Sequence, residues 1–195
     1  MRNSRVQFLI ELSMASALAY ILDTMPFLSL KLWFQGGSIS FAMLPIFLIS
    51  FRWGLKAGLL NGFIFGLLQV VTGQASQYIV HPVQGFIDYF LAFTVLGLAG
   101  VFAVKVKESY AARNKRAAVS FVVSGVLLGG FARFLCHYVA GIIFFAEYAP
   151  KGQPVALYSF VYNISYVAPS VIICAVLLSL LFSSAPLLAR AGARA

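Results

Sequence analysis

Apolar runs long enough to cross a lipid bilayer recur along this sequence, and nothing else in it constrains the fold so strongly. A transmembrane helix needs about 20 residues, so 195 residues hold at most about seven spans joined by short loops. The chain is 62% hydrophobic and 10% charged, with a mean hydropathy of +0.94. Soluble domains average about 45–50% apolar and 25% charged residues, so this excess cannot all be hidden in a water-facing core. An ordinary soluble enzyme, a disordered chain and a nucleic-acid-binding module are excluded, and a bilayer is the expected solvent. No stretch is left for a soluble catalytic or ATP-binding domain. The expectation is one integral membrane domain over residues 1–195 whose energy source lies in other subunits.

Turn residues divide the apolar sequence into about six spans, at roughly 6–25, 39–52, 54–72, 82–104, 118–145 and 156–183. Arg2 and Arg5 before the first run resemble a signal peptide. Glu11 interrupts that run and no small-residue cleavage site ends it, so it reads as the first helix. Cys136 and Cys174 both fall within apolar runs, which suits inert buried thiols rather than a disulfide framework. No internal repeat is evident, which weakens an inverted-repeat transporter reading.

The net charge of +9 gains meaning from its distribution. Arg2, Arg5, Arg52, Lys56, Lys105, Lys107, Arg113, Lys115, Arg116, Arg190 and Arg194 fall on one side of the expected spans, against Lys31 and Lys151 on the other. Basic residues concentrate in cytoplasmic loops, so both termini are expected in the cytoplasm, which requires an even number of spans. The expected fold is therefore an all-α membrane protein, a six-transmembrane-helix bundle with N-in/C-in topology. Gly54, Gly58, Gly62 and Gly66 recur every four residues and form a stripe that lets helices approach closely; packing inside the bundle is the favoured use. Ala15 and Ala19, near Ala17, form a weaker small-residue pair for which spacing alone also favours internal packing.

Ionisable groups inside spans are costly and mark function by default. Asp88 and Tyr89 lie near the outer end of span four, after His81 and Gln84. Arg133 and His137 are four apart on span five and share a face extended by Gly129 and Gly141. His137 is about 28 Å from the inner start of that span, at the outer level. Tyr158 and Asn163 open span six at the same level, Trp33 sits in the first outer loop, and Phe144, Phe145 and Tyr148 end span five. Each has a plainer explanation alone: aromatics form an interfacial belt, Arg133 pairs structurally with Asp88, and His81 faces water before Pro82. Together they describe a pocket for a small organic ligand. A carboxylate among aromatic faces suits a flat cation, and His137 with Asn163 suits a heteroaromatic edge of mixed donors and acceptors.

The segments SISFAMLPIFLISFRWGLKAGLLNGFIFGLLQ, HPVQGFIDYFLAFTVLGLAG, RFLCHYVAGIIFFAEYAPKGQP and YSFVYNISY carry a resemblance over nearly the whole chain. They resemble the thiamine-specific S-component family (ThiT/YuaJ) of energy-coupling-factor transporters. The resemblance implies a six-helix subunit of a bacterial cell membrane that binds thiamine at its outer face. It also implies a transmembrane coupling subunit and two ATPase subunits as partners, with no cofactor and no enzymatic activity. It places the family's binding residues on Trp33, Asp88, Tyr89, Arg133, His137, Gly141, Phe145, Tyr158 and Asn163, with Tyr78 as a further pocket member. On this reading Asp88 balances the thiazolium charge, and Trp33, Tyr89 and Phe145 enclose the rings. His137, Tyr158 and Asn163 hydrogen-bond the aminopyrimidine, and Arg133 organises the site or meets the ligand's polar tail. The family's docking patch for the coupling subunit falls on Ala15 and Ala19. Some members carry Glu at the position of Asp88 and Trp at that of Phe145, which bears on affinity more than on ligand class. A subunit for another vitamin or precursor (hydroxymethylpyrimidine, riboflavin or biotin) and a stand-alone secondary carrier remain as alternatives. An intramembrane enzyme lacks a serine or metal-ligand cluster beside His137, and a purely structural protein leaves the outer polar cluster as uncompensated cost.

Overall fold

The computed structural model describes residues 2–33 and 36–189. The largely apolar run ahead of Pro26, with Glu11 inside it, gives α1, Arg2–Thr24. A two-stranded antiparallel hairpin follows, β1 Ser29–Trp33 paired with β2 Gly36–Ser40 in the register Ser29 opposite Ser40 and Lys31 opposite Ser38. α2 (Met43–Trp53) accommodates Pro45 in its first turn, where no intrahelical donor is needed. It stops at Gly54, whose φ of 90° is strained for any residue with a Cβ, and the chain reverses into α3, Leu55–Val71. Pro82 at the first helical position and a cap from the His81 ring to the Val83 amide start α4, which runs over Pro82–Ala111. Asn114 caps α5 (Lys115–Phe144) through the Ala117 amide, and α6 spans Val155–Ser184.

Four of these helices, α1, α4, α5 and α6, are long and apolar enough to cross a membrane, while α2 and α3 are shorter apolar helices. The chain is thus a helical, multi-pass membrane protein. Large apolar side chains such as Met14, Val71, Val104 and Leu180 are left on the outside of the bundle, as lipid as solvent requires. The core is filled by Phe47, Phe51, Phe65, Leu96, Val122, Val126 and Phe182.

Several expectations are corrected. Residues 39 and 40, assigned to the second span, pair in the hairpin; their Ser-Ile-Ser alternation is satisfied by a strand, and α2 is only 11 residues long. Trp33 lies in β1 rather than in a loop, and α4 continues past residue 104 to Ala111. Ala15 and Ala19 face inward, at 8% and 0% exposure, with Ala15 packed among Leu12, Ile49 and Ala57. The rotation of α1 is set by buried Ser16, which donates to Asn61 of α3 at 2.6 Å. The outward small residues are instead Ser13 and Ala17, among Ile10, Met14, Leu18 and Ile21. Arg190 and Arg194, counted in the charge asymmetry, lie outside the described residues.

The glycine stripe serves internal packing, as spacing favoured. A Cβ at Gly62 would collide with the carbonyl oxygen of Phe93, one at Gly66 with that of Tyr89, and one at Gly58 with Ser50 and Gly97. Gly97 and Gly100 on α4 meet the α3 backbone in return, at Leu59 and Leu55. Gly54 stands apart from this seam, with open space around it. At the end of the bundle carrying Glu11 and Arg52, the Arg52 guanidinium binds both carboxylate oxygens of Glu11 and the Leu188 carbonyl. Trp53 donates to the same carboxylate, and Lys107 donates to the Arg52 carbonyl. Four parts of the chain are tied together there.

Gly62→Ala should destabilise the protein by about 1–3 kcal/mol, since neither backbone can yield without losing its partner. Leu60→Ala, at a side chain 42% exposed, should cost clearly less. Thermal unfolding in detergent measures both, and equal losses would show that the seam relaxes.

Candidate functional site

At the opposite end, the hairpin and the ends of α1, α3, α4, α5 and α6 surround a cavity with about 1100 Å³ of space unfilled by atoms, open solvent at its mouth included. Asp88 and Tyr89 enter it from a π-helical turn, Phe86–Leu91, inside α4. Such a turn admits an extra residue and re-aims the side chains that follow, and it recurs at functional sites. Here it lies where α4 rests on Gly66, so the seam with α3 fixes the height of both residues.

The centre of the site is a chain of hydrogen bonds. Asp88 Oδ1 is 2.8 Å from His137 Nδ1, and Asp88 Oδ2 accepts from Gln84 Nε2 at 2.7 Å. Gln84, almost wholly buried, is oriented in turn by the Val80 amide, which donates to its Oε1. On the far side of the ring, Arg133 Nε donates to His137 Nε2 at 3.2 Å. A guanidinium has no acceptor, so Nε2 must carry the lone pair. The proton therefore sits on Nδ1, and His137 is a neutral ring donating to Asp88 Oδ1. Arg133 does not pair directly with Asp88: its guanidinium lies over the Phe93 ring at 4.4 Å.

The second polar wall comes from α6. Asn163 Nδ2 donates to the Ser159 carbonyl at 2.8 Å, and its Oδ1 accepts from the Tyr166 hydroxyl at 2.6 Å. Gly141 makes this wall possible, because a Cβ there would collide with Ser159 Oγ where α5 meets α6. Tyr158, Tyr162 and Tyr166, one turn apart on α6, line one side, and Tyr89, Phe93 and Phe145 also face the space. At the mouth, Lys31 lies over the Tyr78 ring at 5.8 Å.

Eight of the nine expected binding residues are thus brought together: Asp88, Tyr89, Arg133, His137, Gly141, Phe145, Tyr158 and Asn163 line the cavity, as does Tyr78. Trp33 does not line it. Its ring stacks on Tyr162 at 5.2 Å, its Nε1 donates to Ser165, and Tyr162 takes the wall position, its hydroxyl donating to the Gly36 carbonyl. His81 stacks on Phe144 outside the cavity. Sequence reasoning missed Asp23, Gln69, Tyr162 and Tyr166. The two tyrosines had a signal in their four-residue spacing from Tyr158. Asp23 had only the rarity of carboxylates, since the chain has five Asp and Glu in all.

The arrangement suits the binding of a small organic ligand. No group of His, Cys, Asp and Glu among the described residues could hold a metal ion. What the geometry offers is a preorganised carboxylate, mixed donors and acceptors, and aromatic faces. Comparison with known proteins agrees. The model of the thiamine transporter protein family (Thia_YuaJ) matches residues 9–190.

The chain belongs to the thiamine transporter family.

It is 46% identical to the thiamine transporter ThiT of Bacillus subtilis (strain 168) over 180 residues, 91% of each chain. It is 30% identical to ThiT of Lacticaseibacillus paracasei over 173 residues, 88% of this chain and 83% of that one. A solved structure of ThiT from Listeria monocytogenes superposes with a TM-score of 0.87 at 33% identity, covering 95% of this chain and 98% of the other. This is a family of transporters, not enzymes.

The two histidines should be opposite tautomers. His81 Nδ1 accepts from the Val83 amide, whereas His137 Nδ1 donates to Asp88. Nitrogen-15 NMR of histidine-labelled protein near neutral pH should show an unprotonated Nε2 in His137, assigned through loss of its signal in His137→Gln. An imidazolium signal for His137 in the ligand-free protein would contradict the network.

Proposed function

We propose that this chain is the substrate-binding membrane subunit of an energy-coupling-factor transporter, capturing thiamine at the outer face of a bacterial cell membrane for ATP-driven uptake by partner subunits. One observation carries the reading. A carboxylate locked by an imidazole and an amide lies in an aromatic-walled cavity, in a chain of the thiamine transporter family. Thiamine joins an aminopyrimidine to a cationic thiazolium ring with a hydroxyethyl tail. Asp88 supplies the compensating charge, and Tyr89, Tyr158, Tyr162 and Phe145 supply ring faces, which attract a delocalised cation. Tyr158 and Asn163 Oδ1, which keeps a free lone pair, take the aminopyrimidine edge; His137, with both ring nitrogens engaged, holds Asp88 in place, and Arg133 lies toward the polar tail. Trp33 acts by backing Tyr162.

The whole chain forms one membrane domain of six spans with both termini in the cytoplasm. The support is the charge pattern: Arg52, Lys56, Lys105 and Lys107 belong to the end remote from the cavity, and Lys31 belongs to the mouth. α2 and α3 cross as short helices, with the hairpin and the loop after α3 completing the outer layer. The coupling subunit docks on the outward face of α1, where Ser13 and Ala17 allow close backbone approach between apolar neighbours.

Purified protein in detergent should bind thiamine saturably, and Asp88→Asn should weaken binding about tenfold or more, the worth of a charge-assisted contact. No saturable binding by well-folded protein, with riboflavin, biotin and hydroxymethylpyrimidine tested beside it, would overturn the thiamine reading. Ala17→Trp should leave thiamine binding intact yet prevent co-purification with the coupling subunit. Ala19→Trp should destabilise the chain itself, because its side chain has no exposed surface.

A further inference from the structure

Asp88 is not alone in the cavity. Asp23, at the outer end of α1, also lines it, beside Gln69 of α3. Gln69 is 4% exposed and donates its Nε2 to Asp23 Oδ2 at 2.5 Å, which fixes the carboxylate against the wall. The two carboxylates differ in their remaining capacity. Both oxygens of Asp88 are engaged, by His137 and by Gln84. Asp23 Oδ1 has no hydrogen-bond partner among the described residues. Arg133, the cation of the inner wall, lines the same cavity as both carboxylates.

This sets the charge of the cavity. Counted by formal charge, Asp23 and Asp88 against Arg133 leave an interior excess of one negative charge, with His137 neutral and Lys31 at the mouth. One delocalised cation cancels that excess. A lone guanidinium near the ligand's tail would welcome a phosphate, because planar bidentate recognition of phosphate is what arginine does best. With Asp23 in the same cavity, a phosphate bearing about 1.5–2 negative charges would also meet a carboxylate, whereas a hydroxyl would find an open acceptor.

We propose that Asp23, held by Gln69, is a specificity-determining residue that accepts the hydroxyl of the ligand's tail and rejects its phosphorylated form. The proposal rests on the thiamine reading above, and the experiment separates the two. Full-length protein, Asp23→Asn and Asp23→Glu are titrated with thiamine and with thiamine monophosphate, each variant checked by thermal unfolding. The native chain should prefer thiamine. Asp23→Asn should bind thiamine more weakly and shift the ratio of the two dissociation constants toward the monophosphate by about tenfold or more. Asp23→Glu should restore most of the native preference, which a merely structural role would not do. Asp23→Ser removes the same charge and replaces Asp23→Asn if the latter does not fold. An unchanged ratio in a folded, thiamine-binding neutral variant overturns the role of Asp23. Failure of the native chain to bind thiamine overturns the ligand assignment instead.

Discussion

The backbone-to-backbone seam between α3 and α4 is the contact on which the rest of the structure depends. In lipid there is no hydrophobic force to press helices together, so close packing and polar contacts must do it. Gly58, Gly62 and Gly66 remove every side chain from one side of that contact, and Gly97 and Gly100 do so in return. The consequence reaches the site directly. Gly66 meets the carbonyl of Tyr89, within the π-helical turn that presents Asp88. Any residue larger than glycine there would lift the turn and carry the carboxylate away from His137, whose own position is fixed on another helix. Packing and recognition are thus one constraint, written in residues that have no chemistry of their own.

Burying polar groups at membrane depth is expensive unless each has a partner, and the cavity meets that condition in advance of any ligand. Asp88 is held from two helices, Asn163 by Ser159 and Tyr166, and Arg133 by an imidazole and a ring face. Side chains so fixed lose little freedom when a ligand arrives, which is how preorganisation becomes affinity. The neutrality of His137 belongs to the same logic. A charged imidazole beside Arg133 would cancel the negative excess that favours a cation. The guanidinium, by donating to Nε2, keeps the ring neutral and its Nδ1 proton directed at Asp88.

Much of this was legible in the sequence because the membrane simplifies the reading. Long apolar runs fixed where α1, α4, α5 and α6 lie, and ionisable residues inside them pointed to Asp88, Arg133 and His137 before any geometry was known. The hairpin was not legible: Ser29–Trp33 and Gly36–Ser40 are too short for a strong alternation signal and border an apolar helix that absorbs their last residues. The inward turn of Ala15 and Ala19 was not legible either. Small residues at 13, 15, 17 and 19 lie on both sides of α1, and only the Ser16–Asn61 hydrogen bond decides which pair faces out. Asp23 escaped notice because its role is created by Gln69, 46 residues away, and no local pattern links the two.

The two ends of the bundle are built for different tasks, and the difference bears on how uptake must work. One end encloses a cavity whose fixed dipoles and charges favour a bound cation. At the other end, Arg52, Glu11, Trp53 and Lys107 tie α1, α2, α4 and the C-terminal turn together. A site that is complete before the ligand arrives holds that ligand by its whole interaction energy. A conformational change releases it only by as much as the new state binds it less well. That difference must be supplied by something that interacts differently with the two states. On the docking proposed above, a partner acts on the outward face of α1, the helix that also carries Asp23 into the wall of the site. Displacing that helix would withdraw a carboxylate from the cavity and lower its affinity for a cation, coupling partner contact to release through a single element.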